Sequence, residues 1–150
     1  MKSIIVAIDF QHKIISVLKI AKKMAIAFGA KLYIVHSEIV GPEYVNSVIQ
    51  VTGQQPSMGI INQQKILIEK RLSEIHKDLL KAKIKSECVF MEGPTIENIL
   101  EEAEKVKAEM IIIGSHEHGK FYHLIFGSTH NLLIKKSTIP VLIIPSHIKE

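Results

Sequence analysis

Tryptophan is absent from this chain of 150 residues, and cysteine, arginine and aspartate are scarce. The single cysteine, Cys88, excludes an internal disulfide and any metal site built from several thiolates. Set in an apolar stretch, it reads as a buried, inert thiol. One arginine, Arg71, stands beside 18 lysines behind a net charge of +4. Proteins that read nucleic-acid sequence use arginine forks and aromatic stacking platforms, and aromatics are only 5% here. The lysines are spread along expected helix faces, where solvation is their ordinary work. No nucleic acid is expected as a partner. No apolar run approaches the roughly 20 residues that cross a bilayer, and Asp9 interrupts the N-terminal apolar stretch too early for a signal peptide. A cytoplasmic protein with no membrane partner is the expectation.

What is present is enough apolar residue, 47%, to fill the core of one domain spanning residues 1–150. Five short runs rich in Ile and Val, at residues 4–8, 32–35, 88–91, 110–113 and 141–144, have the continuous hydrophobicity of strands buried on both faces. Between them lie stripes of helical period. Ile14, Leu18, Ala21, Ala25 and Phe28 form the first, with Gly29 as its expected C-terminal cap. Ile61, Ile68, Leu72, Ile75, Leu79 and Ala82 form the second. Ile96, Ile99, Leu100, Ala103 and Val106 form the third, with Thr95 as its expected N-cap. A fourth, at residues 131–136, ends in two lysines that suit the negative end of a helix dipole. Strict alternation of strand and helix predicts an α/β domain, a parallel sheet with helices on both faces. Residues 40–59, with Gly41, Pro42, Gly53, Pro56 and Gly59, break the pattern. They are long for a structureless connection, and so are expected to form a mobile cover over a site or part of an interface.

In such sheets ligands settle beyond the carboxyl ends of the strands. The first strand ends in Asp9 and the fourth in Gly114. From Gly114 to Lys120 the chain matches seven of the eight positions of the phosphate-binding loop G-x-x-x-x-G-K-[ST]. The eighth is Phe121, so the hydroxyl that coordinates magnesium is missing. No later strand ends in the acidic residue that this mechanism also needs, and the match is read as coincidence. A second pattern spans more of the chain. Gly127-Ser128-Thr129 lies thirteen residues after Gly114 and opens the fourth helix. Its free amides and the positive end of the helix dipole would favour an anion.

Here the chain resembles the universal stress protein family, whose G-x2-G-x9-G-[ST] motif follows its fourth strand. "SIIVAIDF" is similar to the first strand of that family, "KLYIVHS" to the second, "EGPTIENILEEAEKVKAEMIIIGSH" to the third helix and fourth strand, and "STIPVLIIP" to the last. The resemblance implies one doubly wound, five-stranded parallel sheet of order 3-2-1-4-5, of the adenine nucleotide alpha hydrolase-like kind. It implies a homodimeric sensor or adaptor that binds ATP or AMP, with or without Mg. Asp9, Val35 and His36 would lie near the adenosine. Ile113, Gly114 and His116 would line the ribose and phosphates, and Gly127, Ser128 and Thr129 would hold the phosphate tail. It also implies pairing of two chains along the last strand, through Val141, Leu142, Ile143 and Ile144, with a further protein partner unnamed. One marked glycine is replaced by Glu117. A carboxylate about 4 Å from a phosphate costs about 4 kcal/mol at an effective dielectric of 20. A nucleotide-free dimerisation and protein-interaction module on the same fold is therefore the alternative.

Several of these residues also have structural readings, of equal standing only for Asp9. Asp9 can cap the first helix, and Ser128 and Thr129 can cap the fourth. His116, His118, His123 and His130 have spacing that a zinc site rarely uses, so they read as loop histidines, with His116 a polar wall of the pocket. No nucleophile elbow and no carboxylate pair for acid–base work is visible. A binding protein, with at most slow ATP hydrolysis, is expected rather than an enzyme.

Overall fold

The computed structural model describes residues 1–10, 14–39, 42–115 and 128–145, with only the main chain at 42–44, 47, 128 and 129. Five strands, β1 (Ser3–Ala7), β2 (Lys31–Glu38), β3 (Ser86–Glu92), β4 (Met110–Gly114) and β5 (Val141–Ile144), form one sheet. Every pairing is parallel, in the order β3-β2-β1-β4-β5. The expected doubly wound architecture is what the chain adopts.

Alternation along the strands sends side chains to two cores. Ile4, Val6, Leu32, Ile34 and Ile112 face α1 (Ile14–Phe28) and α3 (Met58–Lys81), against Val17, Ala21, Ala25, Ile68, Leu72 and Leu79. Ile5, Val35, Ile111 and Ile113 face α4 (Thr95–Lys105) and α5 (Ser128–Lys136), against Ile96, Ile99, Ala103 and Leu133. Because both faces are covered, the inner strands are mostly apolar and read as unbroken Ile/Val runs. The buried His36 of β2 is bonded to a main-chain carbonyl.

The first stripe differs in detail from its expectation. Val17 is buried, whereas Phe28 is about half exposed, because the helix ends there. Gly29 follows with φ 62°, a conformation that glycine adopts without a Cβ clash. Ala82 is exposed and caps α3 instead of belonging to its buried face.

Residues 40–59 are not structureless. They contain α2 (Pro42–Thr52) and the first turn of α3. Pro42 is the first residue of α2, where its missing N–H breaks no bond. Gly53 donates its N–H to the Ile49 carbonyl at 2.8 Å as α2 ends. Ser57 then caps α3, its hydroxyl accepting from the Ile60 N–H at 3.3 Å. Pro42, Gly53, Pro56 and Gly59, which suggested a loop, thus lie at or near helix boundaries, and Gly41 lies outside the described residues. None of the described side chains of α2 is buried, and Val51 is 86% exposed.

Thr95 is likewise not an N-cap. It is the first residue of α4, and Pro94 occupies the cap position without a side-chain bond. Lys136, at the end of α5, reaches Glu97 in the first turn of α4 at 2.9 Å, tying the two helices of that face together. Cys88 is half-buried, and burial pushes its thiol up to about 11. The expected full burial is thus only partial, and the raised value makes the thiolate scarce at neutral pH.

Candidate functional site

The sheet order places β1 beside β4, with Ala7 paired to Ile113. The chain leaves β1 toward β2 on one side, and β4 toward β5 on the other. The carboxyl ends of β1 and β4 therefore flank the point where the winding reverses, the crevice in which α/β sheets bind ligands. Asp9 and Ser115 sit just beyond the two strand ends, both partly exposed.

On the β1 side the exit is fixed by β2. Ile8 donates its N–H to the Val35 carbonyl at 2.9 Å, and His36 bonds through Nδ1 to the Ile8 carbonyl at 2.9 Å. A carbonyl only accepts, so Nδ1 carries the proton and donates. His36 is 5% exposed, with the rings of Phe10 and Phe90 at 4.8 and 6.0 Å. Its role in the fold is to set the direction in which Asp9 leaves the sheet. The side chains of Val35 and Ile113 are buried in the core under α4 and α5, so their place in a site is its floor.

A polar band borders this region at the ends of β2 and β3. Gln64 donates to Glu38 at 2.9 Å, and Lys65 pairs with Glu92. Asn98, 8% exposed, donates to the Ser37 hydroxyl at 2.8 Å and to the Glu92 carbonyl at 3.2 Å. Gly93 makes the turn between β3 and α4 with φ 113°, which disfavours any residue with a Cβ. Both carboxylates in this band are engaged by neighbours, which suits a rigid wall better than proton transfer.

On the β4 side Gly114 is gripped from three directions. A Cβ there would stand 3.0 Å from Val17 Cγ2 of α1. The next residue, Ser115, donates its N–H to the Ile144 carbonyl of β5 at 2.7 Å. His130 of α5 bonds through Nε2 to the Gly114 carbonyl at 2.7 Å. Gly114 thus has a packing reason as well as any ligand reason.

The His130 bond brings the start of α5 to the tip of β4, two segments far apart along the chain. Their convergence sets the start of α5 beside the end of β4, next to the crevice. The donor set suits an anion: main-chain N–H groups and a positive dipole end, in a chain of net charge +4. Ser128 and Thr129 are the first two residues of α5, which begins three residues before the expected stretch. His116, Gly127 and Glu117, with His118, Gly119, Lys120 and His123, lie outside the described residues.

His130 was grouped by sequence with the loop histidines, and that reading is corrected. It is 3% exposed and helical. The signal lay in its spacing: His130 and the buried Leu133 are three apart, hence on one helix face. Among the described residues no group of three His, Cys, Asp or Glu is placed to hold a metal ion. No described helix is long and apolar enough to cross a membrane.

Comparison with known proteins agrees with this fold. The Stress response protein NhaX of Bacillus subtilis is 31% identical over 97 residues, 65% of this chain and 55% of that protein. The match to a Synechocystis universal stress protein covers 25% of that protein, so this chain spans about half or less of the length of the curated relatives it matches. A universal stress protein from Archaeoglobus fulgidus, solved in complex with dAMP, superposes with a TM-score of 0.66 at 23% identity, over 96% of this chain and 98% of the other. A universal stress protein in complex with cAMP superposes with a TM-score of 0.63 at 21% identity, over 97% and 98%. At these identities the two structures establish the shared fold. The model of the Universal stress protein family matches residues 1–145, and the chain belongs to that family.

Proposed function

We propose that this chain binds an adenine nucleotide, ATP or AMP, with or without Mg, as a cytoplasmic homodimeric sensor or adaptor in a stress response. The phosphates take the first-turn amides of α5, from Ser128 and Thr129, with Gly127 and the turn after Gly114. Asp9 and the end of β2, at Val35 and His36, face the adenosine, and Ile113 and His116 line the path between. The observation that carries this reading is the start of α5 held against the tip of β4, beside Asp9 at the reversal of the sheet. The dAMP and cAMP complexes of proteins with this fold support it.

The alternative, a nucleotide-free interaction module, draws support from two glycine positions. A Cβ at Gly114 would crowd Val17, a packing reason that needs no ligand, and Glu117 stands where the family motif has glycine. Equilibrium dialysis with ATP, ADP and AMP separates the two. The wild-type chain is expected to bind at least one of them, at or below about 1 mM, and Glu117→Gly to bind more tightly. No uptake at millimolar ligand by the wild type, with uptake gained by Glu117→Gly, would establish the alternative.

The dimer is proposed to form along β5, an edge strand. The carbonyls of Pro140 and Ile144 accept from β4, from the N–H groups of Ile111 and Ser115. Alternation along the strand then turns the main-chain groups of Val141 and Ile143 outward, where a partner strand can pair with them. Ile143→Pro removes one outward N–H and leaves the β4 ladder intact. Sedimentation velocity is expected to show this variant as a monomer and the wild type as a dimer. An unchanged dimer would move the interface elsewhere.

A further inference from the structure

We propose that α2 and the start of α3 form a self-association surface separate from β5, on which a second copy of this chain docks through the same face of its own α2 and α3. Fourteen large apolar side chains are exposed among the described residues, and seven of them lie from Ile39 to Leu67. Scattered singly they would mean little, but a cluster marks an interaction surface. His76 of α3 bonds to Ser86 at the start of β3, and Lys65 pairs with Glu92 at its end. α3 therefore runs antiparallel to that strand. Its residues 58–63 project about 9 Å past the carboxyl edge of the sheet, at a rise of about 1.5 Å per residue. Residues 53–57 join this overhang to α2, which keeps Ile49 and Val51 close to Met58 and Ile60. Leu67, seven residues after Ile60, continues the same helix face. These five side chains are between 37% and 86% exposed.

The chemistry of this face favours one occupant. Residues 39–64 hold a single charged residue, Glu43, in a chain that is 23% charged. The same stretch holds seven of the ten Asn and Gln residues of the chain. No lysine or arginine stands in it to meet lipid headgroups or nucleic-acid phosphates. When two identical faces meet about a twofold axis, groups near the axis face their own copies. A carboxylate or ammonium there would oppose a like charge, whereas an amide both donates and accepts and can satisfy its twin. Apolar residues bordered by the exposed Gln50, Gln54, Asn62 and Gln63 suit such a contact. Copies of net charge +4 also repel each other less across this stretch than across lysine-bearing helix faces. The five apolar side chains expose less than the roughly 800 Å² per partner of a standard interface. The contact is therefore a weak one that fills at high protein concentration, leaving the β5 pair as the species at low concentration.

The test uses Val51→Glu and Val51→Lys. Val51 is 86% exposed, so both variants are expected to melt within about 2 °C of wild type. Sedimentation velocity at about 2 and about 200 µM chain reads the association. The wild-type mass is expected to at least double between the two, whether it starts as the β5 pair or as a single chain. Each variant alone is expected to associate at least about ten-fold more weakly, because like charges then meet across the axis. An equimolar mixture of the two variants is expected to recover to within about three-fold of wild type. A wild type that keeps one mass at both concentrations overturns the proposal, as do variants that associate as well as wild type. So does a mixture no stronger than its components, since Val51 would then not face a second copy. A variant that melts well below wild type also overturns it, since Val51 would then pack within its own chain.

Discussion

Ser128→Glu is expected to abolish nucleotide binding while leaving the protein at least as stable as wild type. Position 128 is the first residue of α5. A carboxylate there interacts favourably with the helix dipole, by about 0.3–1 kcal/mol, so the melting temperature should hold or rise slightly. The same charge would sit among the amides proposed to receive phosphate. At about 4 Å and an effective dielectric of 20, each pair of like charges costs about 4 kcal/mol, a loss of affinity beyond about one hundred-fold. Calorimetry with ATP alongside thermal unfolding reads both quantities. The opposite signs matter, because a role limited to helix capping would leave ATP affinity untouched. ATP affinity retained in this variant would mean that the phosphates lie away from α5.

The second large effect is on stability. Ile112 is fully buried at the centre of β4, in the core that also holds Val17, Ala21 and Leu72. Ile112→Ala is expected to cost about 2–5 kcal/mol, the transfer term plus the cavity left in a packed core. Ile66, on α3, is 65% exposed, and Ile66→Ala should stay within about 0.5 kcal/mol. Urea unfolding checks this: the midpoint should fall for the first variant and not the second, with the slope unchanged in both. A comparable loss at Ile66 would mean that its face is covered by another molecule in solution.

The strands were legible in the sequence because a sheet covered on both faces leaves few positions for polar residues in its inner strands. Their order was not legible from the residues themselves and came from the family resemblance. α2 escaped notice for a physical reason. Pro42 and Gly53 carry the same composition whether they bound a helix or populate a loop, and the apolar residues between them are too exposed to form a clear stripe. Asp9, Gly114 and Ser128 stood out because strand ends and helix starts have recognisable chemistry. His130 did not, since its partner is a main-chain carbonyl, and no side-chain pattern in the sequence points to a carbonyl. Gly114 shows the converse hazard: a motif glycine can also be favoured by the close packing of a valine on a neighbouring helix.

The place of β1 in the sheet bears on how the chain acquires its fold. One flank of β1 pairs with β2 nearby, from Ser3 against Lys31, but the other awaits β4, with Ile4 against Met110. During synthesis the first three strands can associate early, yet the inner edge of the sheet stays bare until β4, at Met110–Gly114, has emerged. Such distant pairing slows the search, and an open apolar edge invites nascent chains to stick to one another. Helper proteins that shield hydrophobic segments on the ribosome would find their natural substrate in this half-made sheet.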